Sequence, residues 1–316
     1  MRRYIINRLV AMAITLMIIV SIGFVVLRLM PGSPYSDNQD LPPELIRALE
    51  EKMHLDKPMI VQYFYYLKGI FLEGDFGVSV KMAPSVPVFD VIKHRIPVTM
   101  SLNLISLAIS LPLGILAGTL AALNKSKLPD HVISVLVIIC ISVPSFVFAS
   151  VMQYFLAYRL GWFPIILSAS SKGLTRFYSM ILPVLALAFG PIATVTRYLR
   201  GELIETVSSE YMLLARTKGL TRFQATVRHA FRNSCVPLAN IIIPMFTGIL
   251  GGSLVVESIF SIPGMGGMMV DSVNSLDHSL TLAILLFYSI VSLVTILLVD
   301  ISYGLIDPRI RIGGRG

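Results

Sequence analysis

The chain has 316 residues, of which 55% are hydrophobic and 14% charged, with a mean hydropathy of +0.78. An ordinary soluble domain carries roughly 25% charged residues, so the polar side chains here cannot cover a water-soluble globule, and both a soluble enzyme and a disordered chain are excluded. The net charge of +8 would suit nucleic acid, but the basic residues sit mostly between apolar stretches, which marks membrane orientation rather than a nucleic-acid surface.

Six stretches free of Asp, Glu, Lys and Arg are long enough to cross about 30 Å of hydrocarbon: residues 9–27, 96–124, 132–158, 177–196, 233–256 and 279–299. The expected fold is therefore all-α and polytopic, with six transmembrane helices. The first stretch reads as a retained helix, because its apolar core is longer than that of a cleaved signal peptide and Arg28-Leu29-Met30-Pro31 is a poor small-residue cleavage site. With the N-terminus inside, the inner loops and termini hold fifteen Lys and Arg against three in the short outer loops. That asymmetry puts both termini in the cytoplasm. Cys140 and Cys235, the two cysteines, form neither a disulfide framework nor a metal pattern.

The segment after the first span, residues 31–95, reads as an external cap between an N-terminal part (1–30) and a core (96–316). Leu41-Pro42-Pro43-Glu44 opens a helix with an apolar stripe at Leu45, Leu49 and Met53, a second aromatic helix runs over residues 61–68, and Glu73-Gly74-Asp75-Phe76-Gly77 makes a turn. Pro97, Pro112, Pro144, Pro183, Pro191, Pro237 and Pro244 lie within or at the ends of the later spans, as bundle kinks or along a gated pathway. Gly114 to Gly118 and Gly248 to Gly252 have the small-xxx-small spacing that lets helices approach closely.

Residues 200–235 form the most informative stretch. Glu210 to Gly219 reads as a helix with bases in its last turn and a glycine stop. Thr221-Arg222-Phe223-Gln224 fits a capping box that starts a second helix. On that helix Phe223, Val227 and Phe231 share a face at i, i+4, i+8, while Arg222, Arg228, His229 and Arg232 occupy the other sides. The pattern suits a bent docking element on the cytosolic surface; an interfacial helix on anionic lipid is the alternative. Beyond the fifth span, Glu257 to Met269 carries Phe260, Pro263, Gly264 and Gly266, which suits either a lid or scoop turning back toward the bundle or a plain re-entrant loop, followed by a short helix over residues 270–277.

No Gly is followed by Lys, so no Walker A loop exists, and no metalloprotease, nucleophile-elbow or Cys-x-x-Cys motif is present. The spans hold no acid near their middles, where ion-coupled carriers place one. An outside energy source is implied.

The chain resembles the membrane subunits of bacterial ATP-binding-cassette importers, specifically the B-type permease of the oligopeptide, dipeptide and nickel group. The resemblance rests on an ordered set: Arg3-Tyr4, Arg8-Leu9, Leu29 to Pro34, Gln62-Tyr63, Gly74 to Ser79, Glu210-Tyr211, Ala215 to Leu220, Arg228 to Asn233, Phe260 to Gly266 and Asp307-Pro308-Arg309. It implies a non-enzymatic permease subunit in the bacterial cytoplasmic membrane, forming half of a pathway for oligopeptides or dipeptides. The implied partners are a second homologous permease, two cytoplasmic ATPases that carry the ATP and Mg, and an external binding protein. This chain itself would hold no cofactor. The family's Glu-Ala-Ala positions are Leu213, Leu214 and Ala215 here, so the implied ATPase-coupling residues are Ala215, Gly219, Leu220, Arg222, Phe223, Val227, Arg228 and Phe231. The implied external gate is Glu257, Phe260, Pro263, Gly264 and Gly266. A nickel or metal-chelate cargo on the same fold is one alternative, although His54, His94, His131, His229 and His278 have no ligand spacing. A self-contained ion-coupled carrier is the other.

Overall fold

The structure is a computed structural model that describes residues 2–30, 44, 50–51, 54–167, 173–226, 230–231, 234, 238, 241–242, 244–245 and 253–306. Among these the chain is helical with no strand, apart from one isolated antiparallel bridge between Val78 and Pro87. It forms two compact units, Met1–Thr99 with Pro263–Leu293 and Met100–Ile262 with Val294–Gly316.

In the first unit, α1 (Arg2–Leu29) exposes Leu9, Val10, Ile14, Ile18, Ile22 and Val26, an apolar surface that suits a lipid surrounding. Its buried residues, Val20, Phe24 and Leu27, recur at i, i+4, i+7 and make one stripe. Against this stripe packs α2 (Met59–Lys68): the Phe24 ring lies 5.4 Å from those of both Tyr63 and Tyr66, and the hydroxyls of Ser21 and Tyr63 share a hydrogen bond of 2.5 Å. Burial pushes the Tyr66 phenol well above its ordinary pKa. A π-helical turn (Gly69–Glu73) ends at Gly74 in the left-handed region (φ +65°), and the Gly77 amide donates to Asp75 Oδ1 at 2.8 Å. The aromatic helix and the turn expected here are thus both present. The expected stripe at Leu45, Leu49 and Met53 lies outside the described residues. α3 (Val88–Lys93) buries Val88 and Ile92 against Met265, Met268, Leu280 and Ile284.

In the second unit, α4 (Ile96–Leu123) meets α7 (Leu174–Val207) at the Gly114–Gly118 seam. A Cβ on Gly114 would fall 2.7 Å from Val195 Cβ, and one on Gly118 2.9 Å from the Thr196 carbonyl oxygen. Glycine is what lets these backbones touch, as the spacing predicts. Thr196 Oγ1 donates across the seam to the Gly114 carbonyl at 3.2 Å, and Ser110 Oγ to that of Ala188 at 3.2 Å. The second small-xxx-small pair, Gly248 and Gly252, lies outside the described residues.

The third expected span is broken. α5 (Leu128–Ser142) and α6 (Ser145–Met152), which runs on as a π-helical segment (Gln153–Arg159), are bent by 100°. Pro144 lacks an amide proton and drives its predecessor Val143 to φ −96°, ψ 122°, which ends the helix. Pro112, Pro183 and Pro191, by contrast, are carried inside continuous helices. Among the described residues four helices are long and apolar enough to span a bilayer, or five with the bent pair counted as one. The fifth expected span, residues 233–256, falls largely outside the described residues. α11 (His278–Ile306) is the last.

Candidate functional site

The informative stretch of the sequence folds as an elbow on the end of α7. After Val207 the chain turns through Ser208 and Ser209, whose amides donate to the Glu205 and Thr206 carbonyls at 3.2 and 3.1 Å. α8 (Glu210–Thr217) then begins, with an acid in its first turn where the helix dipole favours one. It ends at Gly219, φ +89°, with the Leu220 amide reaching back to the Ala215 carbonyl at 3.4 Å, the six-to-one bond of a Schellman stop. Nothing lies within 4 Å of where a Gly219 Cβ would be, so the glycine serves backbone conformation alone.

Thr221 next closes the capping box. Its amide donates to Gln224 Oε1 at 3.1 Å and its Oγ1 accepts from the Gln224 amide at 3.2 Å. α9 (Arg222–Ala225) starts there, and the chain continues to Ala230 and Phe231, with Ser234 hydrogen-bonded to Thr206 at 3.2 Å. Both expected devices, the glycine stop and the capping box, are present.

The elbow sits on its own apolar core. Met212, Ala215, Ala225 and Ala230 are buried with Val195, Leu199 and Leu203 of α7 and Ala122 of α4, and Leu220 and Phe231 pack on the cluster partly buried. Of the residues expected to couple, the structure brings Ala215, Leu220 and Phe231 together on this core and places Gly219 at the bend. Arg222 and Phe223 open α9, but their side chains, together with all of Val227 and Arg228, lie outside the described residues. Leu213 and Leu214 are the residues that motif reasoning passed over. They are 64% and 57% exposed beside the buried Met212 and Ala215. A helical reading could have found them, because once positions 212 and 215 face the core, 213 and 214 cannot.

The expected gate is divided between the two units. In the second, Glu257 and Phe260 are fully buried, the Ile262 amide donates to the Glu257 carbonyl at 2.8 Å, and the Leu167 amide donates to that of Phe260 at 2.8 Å. Gln153 Nε2 holds the Ile259 and Ile165 carbonyls, each at 2.8 Å. In the first unit, Gly264 and Gly266 are buried, Pro263 is half-buried, and the Met265 amide donates to Thr99 Oγ1 at 2.8 Å. The short helix α10 spans Met265–Asn274 rather than residues 270–277. Burial of Met265 and Met268 outweighs the low helix propensity of Gly266 and Gly267.

A fully buried carboxylate that the sequence did not flag organises part of the first unit. Asp277 Oδ2 accepts from Ser79 Oγ at 2.5 Å and from the amides of Val80, Lys81 and Met82 at 3.1, 3.1 and 3.2 Å. Its Oδ1 faces the Leu280 amide at 3.4 Å, in the N-cap position of α11. One acid thus caps a span and clasps the turn of residues 79–82.

Two family descriptions cover nearly the whole chain. The binding-protein-dependent transport system inner membrane component matches residues 110–312, and the N-terminal part of such a membrane component matches residues 1–103. The chain is 40% identical over 312 residues to the dipeptide transport system permease protein DppB of Lactococcus lactis subsp. cremoris (strain MG1363), covering 99% of this chain and 100% of that one. It is 37% identical over 311 residues to the oligopeptide transport system permease protein OppB of Haemophilus influenzae (strain ATCC 51907 / DSM 11121 / KW20 / Rd), covering 98% and 100%. Among solved structures, an inward-facing form of the MetNI methionine ABC transporter shares the fold, with a TM-score of 0.57 at 15% identity over 69% of this chain and 97% of that one.

Proposed function

The chain belongs to the family of binding-protein-dependent transport system inner membrane components, and from that premise we propose how its geometry serves peptide import. It is a multi-pass inner-membrane permease subunit of an ATP-driven importer, and relatives named for dipeptides and oligopeptides over its full length support peptide as the cargo. The observation that carries the mechanism is the elbow of α8 and α9, built on the end of a continuous 34-residue helix and seated on a shared core.

In this reading both termini are cytoplasmic, and the elbow docks on one of two ATPases that bind ATP and Mg. A second homologous permease completes the pathway, and an external binding protein delivers peptide. Leu213 and Leu214 offer apolar contact to the ATPase, Arg222 and Arg228 rim charge, and Gly219 the bend. Ala215, Leu220 and Phe231 tie the docking face to α7. Val227 and Phe223 continue the apolar face expected of α9. Closure of the ATPases moves the elbow, which biases the spans between inward and outward states through differential contact. Glu257, Phe260, Pro263, Gly264 and Gly266 form the outer gate. Residues 31–95 are the cap and 96–316 the core.

Affinity purification of a tagged chain from its native membrane in mild detergent tests the assembly. Recovery of a second permease and of Walker-A proteins supports it. Recovery of this chain alone, under conditions that keep a known importer intact, would refute it.

A further inference from the structure

In the second unit, α5 and α7 line a cavity of about 390 Å³. Ile133, Val137, Ile138 and Ile141 of α5 form its apolar wall, and Arg197 and Arg200 of α7 form its charged end. Position matters here. Arg197 is the first charged residue after the uncharged window of residues 177–196, so the charged end lies where hydrocarbon gives way to headgroups.

The two guanidinium groups are not equivalent. Arg200 is clamped by Asp130, Nε to Oδ1 at 2.5 Å and Nη2 to Oδ2 at 2.9 Å, and Asp130 also accepts from the Ser126 amide at 2.9 Å. That fork neutralises Arg200 and holds it still. Arg197 is exposed and makes no ion pair among the described residues. With two arginines and one aspartate, the charged end carries a net charge of one positive unit.

An occupant that matches must bring one anionic group to Arg197 and an apolar body to the α5 wall. We propose that this cavity binds an anionic phospholipid, with its phosphate on Arg197 and an acyl chain along Ile133, Val137 and Ile141. Basic pockets between transmembrane helices at the headgroup level take such lipids, and a guanidinium fork suits a phosphate. A stretch of peptide fits less well, because every residue brings an amide donor and acceptor that need partners. The isoleucines and the valine supply none, and beside the arginines the lining adds only the hydroxyls of Ser134, Ser142 and Thr196, the last already donating to backbone carbonyls. The site requires only that this end of α7 lie at the hydrocarbon boundary, whatever the cargo and whichever leaflet it faces. Because α7 runs without interruption into the elbow, a lipid wedged there would also brace the coupling segment.

Native mass spectrometry of the complex, released from mixed micelles holding equal phosphatidylglycerol and phosphatidylcholine, tests the site without reference to transport. The wild type is expected to retain phosphatidylglycerol about tenfold over phosphatidylcholine. Arg197→Gln, which removes an exposed side chain and leaves the Asp130–Arg200 fork intact, should bring the two lipids level, and Arg197→Lys should restore most of the preference. Ile138→Trp should lower retention of both by filling the wall. Millimolar inorganic phosphate should displace nothing, since a free anion lacks the chain. Equal retention in wild type and Arg197→Gln, no preference in the wild type, or displacement of the lipid by a short peptide with a free carboxylate would each overturn the assignment.

Discussion

Replacing Asp277 by Asn tests whether one carboxylate holds the turn of residues 79–82 to the start of α11. The substitution keeps size and shape but removes the charge and turns one oxygen into an NH2 donor. Asp277 Oδ2 now receives four donors, from Ser79 Oγ and the amides of Val80, Lys81 and Met82. A hydrogen bond to a charged acceptor contributes about 1.5–3 kcal/mol, against about 0.5–1.5 for a neutral one. One oxygen cannot serve four donors at full strength, so about 1 kcal/mol lost on each of two or three bonds, with the new NH2 facing the Leu280 amide, sums to about 2–4 kcal/mol. Hydrogen exchange reads this locally. Amides of residues 80–82 should exchange roughly 30- to 1,000-fold faster in Asp277→Asn, while those of α7 should be unchanged. Ser79→Ala, which removes one donor, should give a smaller effect at the same amides. Unchanged exchange at residues 80–82 would refute the clasp.

Further substitutions separate packing from coupling. Gly118→Leu forces side-chain atoms into the Thr196 carbonyl and should destabilise the α4–α7 seam by about 1–3 kcal/mol, seen as a lower apparent Tm in detergent; Gly190→Ala, where a Cβ meets nothing within 4 Å, should not. Gly219→Ala should cost about 1–2 kcal/mol through the left-handed backbone alone. Gly219→Pro should leave insertion intact yet abolish peptide-stimulated ATP hydrolysis in the assembled importer, and normal stimulation would sink the coupling role. Leu213→Asp with Leu214→Asp changes exposed side chains only, so it should leave the apparent Tm within a degree or two while the ATPases no longer co-purify; retained co-purification would remove these leucines from the docking face.

How far the sequence is legible depends on the range of the forces involved. The capping box at Thr221 and Gln224 and the stop at Gly219 are local contests between neighbouring backbone groups, so spacing alone exposes them. The Gly114–Gly118 seam is legible because its requirement, no side chain, is written at both positions. Pro144 marks a break, but not its size: the proline ends α5 without fixing the direction in which α6 leaves, so the 100° bend has no local signature, and α4 and α7 carry Pro112, Pro183 and Pro191 without one. Asp277 shows the opposite limit. Its place before an apolar run hints at an N-cap, yet its main partners lie almost 200 residues away, and no local pattern joins them. The start of α10 was hidden for a related reason, since the two glycines signal a turn and only burial of the methionines beside them overrides it.

If the elbow couples as proposed, it explains why such residues are hard to read from their chemistry alone. A catalytic group must present particular atoms, whereas a lever needs only a surface to push and a stiff path behind it. Here the path is one cluster: Met212 and Ala215 of α8, Ala225 of α9 and Ala230 share buried contact with Val195, Leu199 and Leu203 of α7 and Ala122 of α4. Close-packed interiors transmit displacement instead of absorbing it, so force on the exposed side of α8 reaches α4 and α7 as movement of a body. The small residues in that cluster bring the elbow's backbone close to α7, which shortens the path further. On the coupling role proposed above, the acid of the family's pattern can be exchanged for leucine at position 213, because what must persist is the geometry of the bend and the packing beneath it, while the exposed surface has only to complement whatever docks there.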